Sequence, residues 1–371
     1  MKKKITVIEG DGIGPEVTKQ SVHVLNAIAK LFNHEFEYTY CLMGAVAIDK
    51  SGDPLPDETI ESCLESDAIL LGAIGHPKYD NDPNARVRPE QGLLKLRKSL
   101  QLFANIRPVT TYKSLHHLSP LKGKIIDGVD FIIFRELTGG LYFGKKELNE
   151  DGTQAIDECI YSRKEIERVA HLAFQSAQIR KKHLTLVDKA NVLETSRLWR
   201  KVVQEMALQY PDIRVDYLFV DNAAMQIILH PKQFDVILTE NMFGDIISDE
   251  ASVISGSLGL LPSASIGKGA ALFEPIHGSY PQAAGKDIAN PIGAILSAAM
   301  LLEYLCMPQE AFSVKEAVEW TLTNGFVTRD IDPVNAYSTS TLGELITEHI
   351  HGNIPGSVRR SNIEFSKSTI I

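Results

Sequence analysis

A chain of 371 residues is longer than one hydrophobic core usually grows, so two lobes are expected rather than one. Its 44% hydrophobic and 23% charged residues rule against a disordered chain. The formal net charge of −9 rules against a nucleic-acid partner, which would require clustered Lys and Arg.

In chain order, Met-Lys-Lys-Lys is followed only by the short apolar run Ile5-Thr-Val-Ile8, too brief for a signal-peptide core and read as a first strand. Pro15 to Phe32 carries Val17, Val24, Leu25, Ile28, Leu31 and Phe32 at helical spacing. Strand-like runs then recur at Ala68 to Ile74, Phe131 to Phe134, Leu184 to Val187, Tyr217 to Val220 and Val236 to Leu238, most of them followed by helical periodicity. This βα alternation predicts an α/β protein with a large, mostly parallel sheet. Asn149 to Thr153, ahead of Ile156 to Tyr161, suggests a projecting hairpin. Ile292 to Leu302 reads as a buried helix, since it falls short of the ~20 apolar residues that a membrane span needs. The last twenty residues read as a polar tail. No Gly/Ser linker separates two lobes, so the chain must pass between them through ordered segments. Cys41, Cys63, Cys159 and Cys306 form no Cys-x-x-Cys pair, which suits reduced, core-packed thiols in a cytoplasmic protein.

Ligands of open α/β sheets sit at the carboxyl ends of strands, and here those ends carry reactive residues. Asp188, Lys189 and Asn191 follow one strand, Asp221 another, and Glu240, Asn241, Asp245 and Asp249 a third. Asp245 and Asp249 are four apart, on one face of a helix if Phe243 onward is helical, and Ile246 and Ile247 are expected to anchor that helix to the core. The like charges cost about a few tenths of a kcal/mol if exposed, so a solvated acidic face is one reading. With Asp221 also at a strand end, a hard divalent cation, Mg²⁺ or Mn²⁺, is the other. Arg97, Arg107 and Arg135 would suit a substrate with two or three carboxylates if they converge; taken singly, each reads as a surface ion pair. The helix from Glu90 to Arg97 sets Glu90, Leu93, Leu94 and Arg97 on one face. Glu9-Gly-Asp-Gly-Ile-Gly-Pro15 lacks the Gly-x-Gly-x-x-Gly spacing of a Rossmann turn, so the better nucleotide candidate is the ordered loop from Phe273 to Gly285 with Asp287 to Pro291. A two-metal hydrolase would need more bridging ligands, and an assembly protein held by metal would have no use for Lys189 together with three arginines.

Eight segments, Gly10 to Glu16, Leu93 to Arg97, Ala104 to Pro108, Arg135 to Gly140, Asp188 to Asn191, Asp221 to Ala224, Asn241 to Asp245 and Glu274 to Ser279, occur in the order found in the isocitrate/isopropylmalate family of metal-dependent decarboxylating dehydrogenases, which the chain resembles from Ile5 to about Ile350. The resemblance implies a two-lobed fold with a nucleotide site that is not of Rossmann type. Residues 1–102 and 256–371 would form the nucleotide lobe, and 103–255 an inserted lobe for substrate and dimerisation. It implies NAD held by Glu274, His277, Gly278, Ser279 and Asn290, with Ile13 and Asp330 nearby. Where NAD-using members commonly carry Asp, this chain has Gln282; no cation stands in Gln282-Ala-Ala284 for a 2′-phosphate, so NAD remains the expected cofactor.

It further implies a homodimer with shared active sites. Asp245 and Asp249 of one subunit, with Asp221 of the other, would hold the metal against the substrate, and Lys189 and Tyr142 would act as base and acid. Arg97, Arg107 and Arg135 would hold carboxylates. Asn191 would lie at the substrate. Leu93 and Leu94 offer an apolar wall where isocitrate-using members place small polar residues, so 3-isopropylmalate is the expected substrate.

Overall fold

The computed structural model describes residues 1–80 and 87–352; the reading of the polar tail falls, from 353 on, outside them. The strands are β1 (Lys2–Gly10), β2 (Glu35–Cys41), β3 (Ala68–Ala73), β4 (Ala104–Thr110), β5 (Asp130–Glu136) and β6 (Lys146–Leu148). They continue with β7 (Ala155–Asp157), β8 (His183–Asp188), β9 (Arg214–Phe219), β10 (Val236–Thr239), β11 (Pro262–Ile266) and β12 (Ala271–Pro275). Among the described residues ten strands form one sheet in the order β2-β1-β3-β12-β11-β4-β5-β10-β8-β9.

Six of its nine strand pairings are parallel and three antiparallel, the latter all at the centre, β12 with β11, β11 with β4, and β4 with β5. One parallel block, β2-β1-β3-β12, therefore runs opposite to the other, β5-β10-β8-β9. Interior strands such as β3, Ala-Ile-Leu-Leu-Gly-Ala, are buried along their whole length because helices cover both faces. β2, an edge strand, alternates exposed and half-buried residues through Glu-Phe-Glu-Tyr. Pro108 is accommodated inside the sheet because the β11 register ends at Ile106, two residues earlier.

The largest apolar cluster runs without a break through both blocks, joining Ile5, Leu70 and Phe273 to Ile132, Leu186 and Trp199. The opposite face of the second block has its own cluster, in which Val109, Phe131, Ile133, Ile237 and Ile247 meet. Period-two alternation then decides where the polar residues go. On β4 and β5, Asn105, Arg107 and Arg135 share the face of Val109, Phe131 and Ile133, whereas Glu136 shares the face of Ile132 and Phe134.

The first strand, the helix Gly14–Phe32, the buried helix Ile292–Tyr304 and the exposed β6–β7 hairpin agree with the sequence reading. Three readings are corrected. Val220 opens the helix Val220–Leu229 rather than closing a strand, so Asp221 sits in a helix's first turn. Ile247 is fully buried, but Ile246 is 58% exposed and anchors nothing within the chain. All four cysteines are free; Cys63 is buried and Cys41 and Cys159 pack half-buried against the core, but Cys306 is exposed at a left-handed turn, where it has no core to pack into.

Candidate active site

The helix Asn241–Ser252 lies on the second apolar cluster, into which it buries Ile247 and Ala251; burying an isoleucine contributes roughly 1.5–3 kcal/mol. That packing turns Asn241, Asp245, Ser248 and Asp249 toward β4 and β5. Asp245 is bound by the Arg135 Nη1 and lies 3.7 Å from the Arg107 Nη2. Asp249 accepts from the Arg107 Nη1 at 2.7 Å, and the Ser248 hydroxyl lies 2.6 Å from the same nitrogen. Two arginines thus compensate the two acids, so this is neither an uncompensated face nor a pair of surface ion pairs. The approach is possible because residue 244 is glycine: a Cβ there would stand 2.6 Å from the Arg135 Cγ.

Arg107 and Arg135 converge on Asp245, and the charge of Arg97 reaches Arg135. Burial pushes the Arg135 guanidinium down to about 10, opposed by the Asp245 charge and reinforced by the positive charges of Arg107 and Arg97. Arg97, on the helix Pro89–Ser99, donates to the Glu274 carboxylate at 3.0 Å, which ties that helix to the end of β12. On the same helix Leu93 is half-buried, Leu94 is exposed, and the Glu90 carboxylate approaches Gly75 near the Ser279 hydroxyl. Tyr142, at the end of the short turn Gly140–Tyr142, donates its hydroxyl to Asp245 at 2.8 Å. Burial raises its pKa, and the hydrogen bond to Asp245 acts in the same direction, so the phenol keeps its proton at neutral pH.

Lys189 and Asp221 form a second pair. The Lys189 Nζ lies 2.5 Å from the Asp221 carboxylate, which this hydrogen bond holds below the usual carboxylate range. Asn191 is exposed beyond Lys189. Among the described residues no three His, Cys, Asp or Glu side chains gather to hold a metal ion, so Asp221 does not join Asp245 and Asp249 within one chain. The two acids are hard oxygen donors one helical turn apart, in keeping with a divalent cation completed by a further carboxylate from outside the chain.

The loop after β12 is pinned at several points. Ile13 donates its backbone N–H to the Ser279 carbonyl at 2.8 Å, and Gly12, at φ +60°, leaves no room for a Cβ, which would stand 1.9 Å from that oxygen. The Glu16 carboxylate accepts from the backbone of Gly285 and Asp287. Asp330 accepts from Ser257, Thr328 and the Asn290 amide. Gly278 and Gln282 are exposed. The His277 Nε2 is buried without a hydrogen-bond partner, an orphan that a nucleotide in this loop would satisfy. Asn105, Asn241, Ser248 and Glu16 take part in this constellation although the residue patterns gave them no role. Asn105, Asn241 and Glu16 stood in motifs, and Asn241 at a strand end, but only register and packing show what they touch.

The model of the isocitrate/isopropylmalate dehydrogenase family matches residues 4–346. The chain is 54% identical over 352 residues to the 3-isopropylmalate dehydrogenase of Bacteroides fragilis, covering 94% of this chain and 99% of that protein. It is 53% identical over 369 residues to the enzyme of the same name from Bacillus subtilis, covering 98% and 100%. Among solved structures it resembles the isocitrate dehydrogenase of Methylococcus capsulatus, with a TM-score of 0.84 at 35% identity over 94% of this chain and 99% of that one. The apo β-decarboxylating dehydrogenase of Thermococcus kodakarensis follows at TM-score 0.79 and 36% identity, over 94% and 96%.

Proposed function

The chain belongs to the isocitrate/isopropylmalate dehydrogenase family, and from that premise we propose that it oxidises (2R,3S)-3-isopropylmalate with NAD in leucine biosynthesis. The product, 2-isopropyl-3-oxosuccinate, is a β-keto acid that loses CO₂ to give 4-methyl-2-oxopentanoate. The observation that carries this reading is the meeting of Arg107 and Arg135 with Asp245 and Asp249 on one face of a helix, with Arg97, paired to Glu274, near enough for its charge to act on Arg135.

Asp245 and Asp249, with Asp221 from a second copy of the chain, would hold Mg²⁺ or Mn²⁺; Glu274, His277, Gly278, Ser279, Gln282 and Asn290, with Ile13 and Asp330 adjoining, would hold NAD. When bound, the cation supplies an acidified substrate hydroxyl and the nicotinamide a hydride acceptor. The arginines exchange Asp245, Asp249 and Glu274 for the substrate's two carboxylates and fix its orientation. Lys189 of the second copy takes the hydroxyl proton, with Asn191 beside it at the substrate. Tyr142 returns a proton to the enol left when CO₂ departs. Leu93 and Leu94 face the isopropyl group; a third carboxylate there would meet Glu90 and no donor.

The active unit is a homodimer. The separation of the Lys189–Asp221 pair from Asp245 and Asp249 within one chain supports this. So do the exposed apolar side chains of Leu148 and Ile156 on a two-stranded hairpin, an element that is marginal alone. Residues 1–102 and 256–371 make the nucleotide lobe and 103–255 the inserted lobe. No helix of the described residues is long and apolar enough to cross a membrane, and the enzyme works in the cytoplasm, where free thiols persist.

The test is NADH absorbance with racemic 3-isopropylmalate and Mg²⁺, abolished by chelator and restored by added metal. Equal efficiency with isocitrate, or a preference for NADP, would overturn the substrate or cofactor assignment.

A further inference from the structure

Two of the converging arginines share a construction that the reaction chemistry does not itself require. The Asn105 Oδ1 accepts from the Arg107 Nε at 2.9 Å, and the Asn241 Oδ1 accepts from the Arg135 Nε at 3.1 Å and Nη2 at 2.8 Å. Each amide is locked from behind. The Asn105 Nδ2 donates to the Ala264 carbonyl at 3.2 Å and the Ser265 hydroxyl at 3.3 Å, and the Asn241 Nδ2 donates to the Gly139 carbonyl at 3.2 Å. The Asn241 backbone N–H is held in turn by the Tyr161 hydroxyl at 3.0 Å. Both asparagines are buried, 2% and 1% exposed, so neither is displaced by water.

A guanidinium can rotate about its long stem, and a second acceptor on its Nε edge removes that freedom. The choice of a neutral acceptor has a consequence. A buried carboxylate in either place would hold the arginine equally well but cancel its charge, leaving less attraction for an incoming anion. An amide oxygen orients the group and leaves the positive charge uncancelled, with the Arg135 Nη1 facing Asp245 and the Arg107 Nη1 facing Ser248 and Asp249.

We propose that Asn105 and Asn241 are positioning residues that aim Arg107 and Arg135 at the substrate's carboxylates while leaving their charge intact. The role in substrate binding rests on the functional reading above; the role in holding the arginines does not. Two readouts separate them.

The first uses the full-length protein labelled with ¹⁵N-arginine, without substrate, the Nε–H resonances being assigned by Arg107→Lys and Arg135→Lys. Asn241→Ala should abolish the exchange protection of the Arg135 Nε–H alone, and Asn105→Ala that of Arg107 alone. Unchanged protection overturns the proposal whatever the substrate. The second is kinetic. Each alanine variant should raise KM for 3-isopropylmalate about tenfold or more, with KM for NAD within about twofold of the parent. In an Arg135→Lys background the Asn241→Ala effect should vanish, because its route is gone. Equal effects in both backgrounds would mean a merely structural role and overturn the proposal. Should an alanine variant not fold, Asn241→Asp keeps the shape and adds the charge: KM should still rise, and a parental KM overturns the proposal. If the parent forms no NADH while the Nε–H protection is lost as expected, the functional reading fails and the positioning role stands.

Discussion

Glu240 is 5% exposed, and burial pushes its carboxyl up to about 7, with the charge of Glu136 acting in the same direction. A carboxyl whose pKa is raised in the folded state binds more protons there than in the unfolded chain between the two values. Stability from this group is therefore highest below about pH 4.5 and is lost as pH climbs to about 7. Glu240→Gln removes that penalty, so the variant should gain on the order of 3 kcal/mol over the parent at pH 8 and little at pH 4.5. Chemical denaturation at both values checks it; no gain at pH 8 would show that Glu240 is not held as a buried acid. At Lys189 and Tyr142 the expected losses are catalytic. Lys189→Ala and Tyr142→Phe should each lower kcat by about 10² to 10⁴, the usual worth of a positioned acid or base, with NAD affinity nearly unchanged by calorimetry. Near-parental turnover from Lys189→Ala would remove it from the mechanism.

The helix Asn241–Ser252 has three working sides, and only two follow from its spacing. Period 3.6 puts Asp245 and Asp249 together and Ile247 opposite them. The third side, Ile246, is as apolar as its neighbour yet points outward, because a pattern of residue types does not say whether a second apolar surface meets solvent or another chain. The turn at Gly12 shows the same limit. Its three glycines exclude a Rossmann fingerprint, but the reason residue 12 must be glycine lies 267 positions away, in the Ser279 carbonyl. Gly12→Ala would have to displace that carbonyl and adopt a strained positive φ. It should raise KM for NAD at least about tenfold while leaving KM for 3-isopropylmalate nearly unchanged, since strain of this kind costs about 1–3 kcal/mol. Initial-rate kinetics with each substrate varied in turn decide it, and equal effects on both would mean the loop serves general stability.

For the whole molecule, the question is which parts of a site a single chain can bring together. Asp245 and Asp249 sit with Arg107, Arg135 and Tyr142, while Asp221 and Lys189 sit with each other. If two copies share each site, mixing Asp249→Asn and Lys189→Ala proteins, each inactive alone, creates hybrids with one intact site. After subunit exchange, activity should recover to about a quarter of the parent's, because half the dimers are hybrids and each has one working site of two. Exchange can be followed by mass-tagging one variant. Full exchange with no recovered activity would place all the residues of a site in one chain.

Sequence by itself determined the alternation of strands and helices, the buried Ile292–Tyr304 helix and the exposed hairpin, because each depends on local periodicity and turn chemistry. Eight ordered motifs carried the family as well. What only the tertiary structure decided is pairing between distant residues: the antiparallel centre that sets two parallel blocks running opposite ways, and the strand faces that bring Arg107 and Arg135 to the Asn241–Ser252 helix. Asn105 and Asn241 illustrate the difference. An asparagine has no periodic signature, and its meaning comes from the guanidinium its carbonyl meets, 106 residues away in the case of Asn241 and Arg135. Such contacts depend on sheet register and helix packing, which the order of residues fixes only through the folded whole.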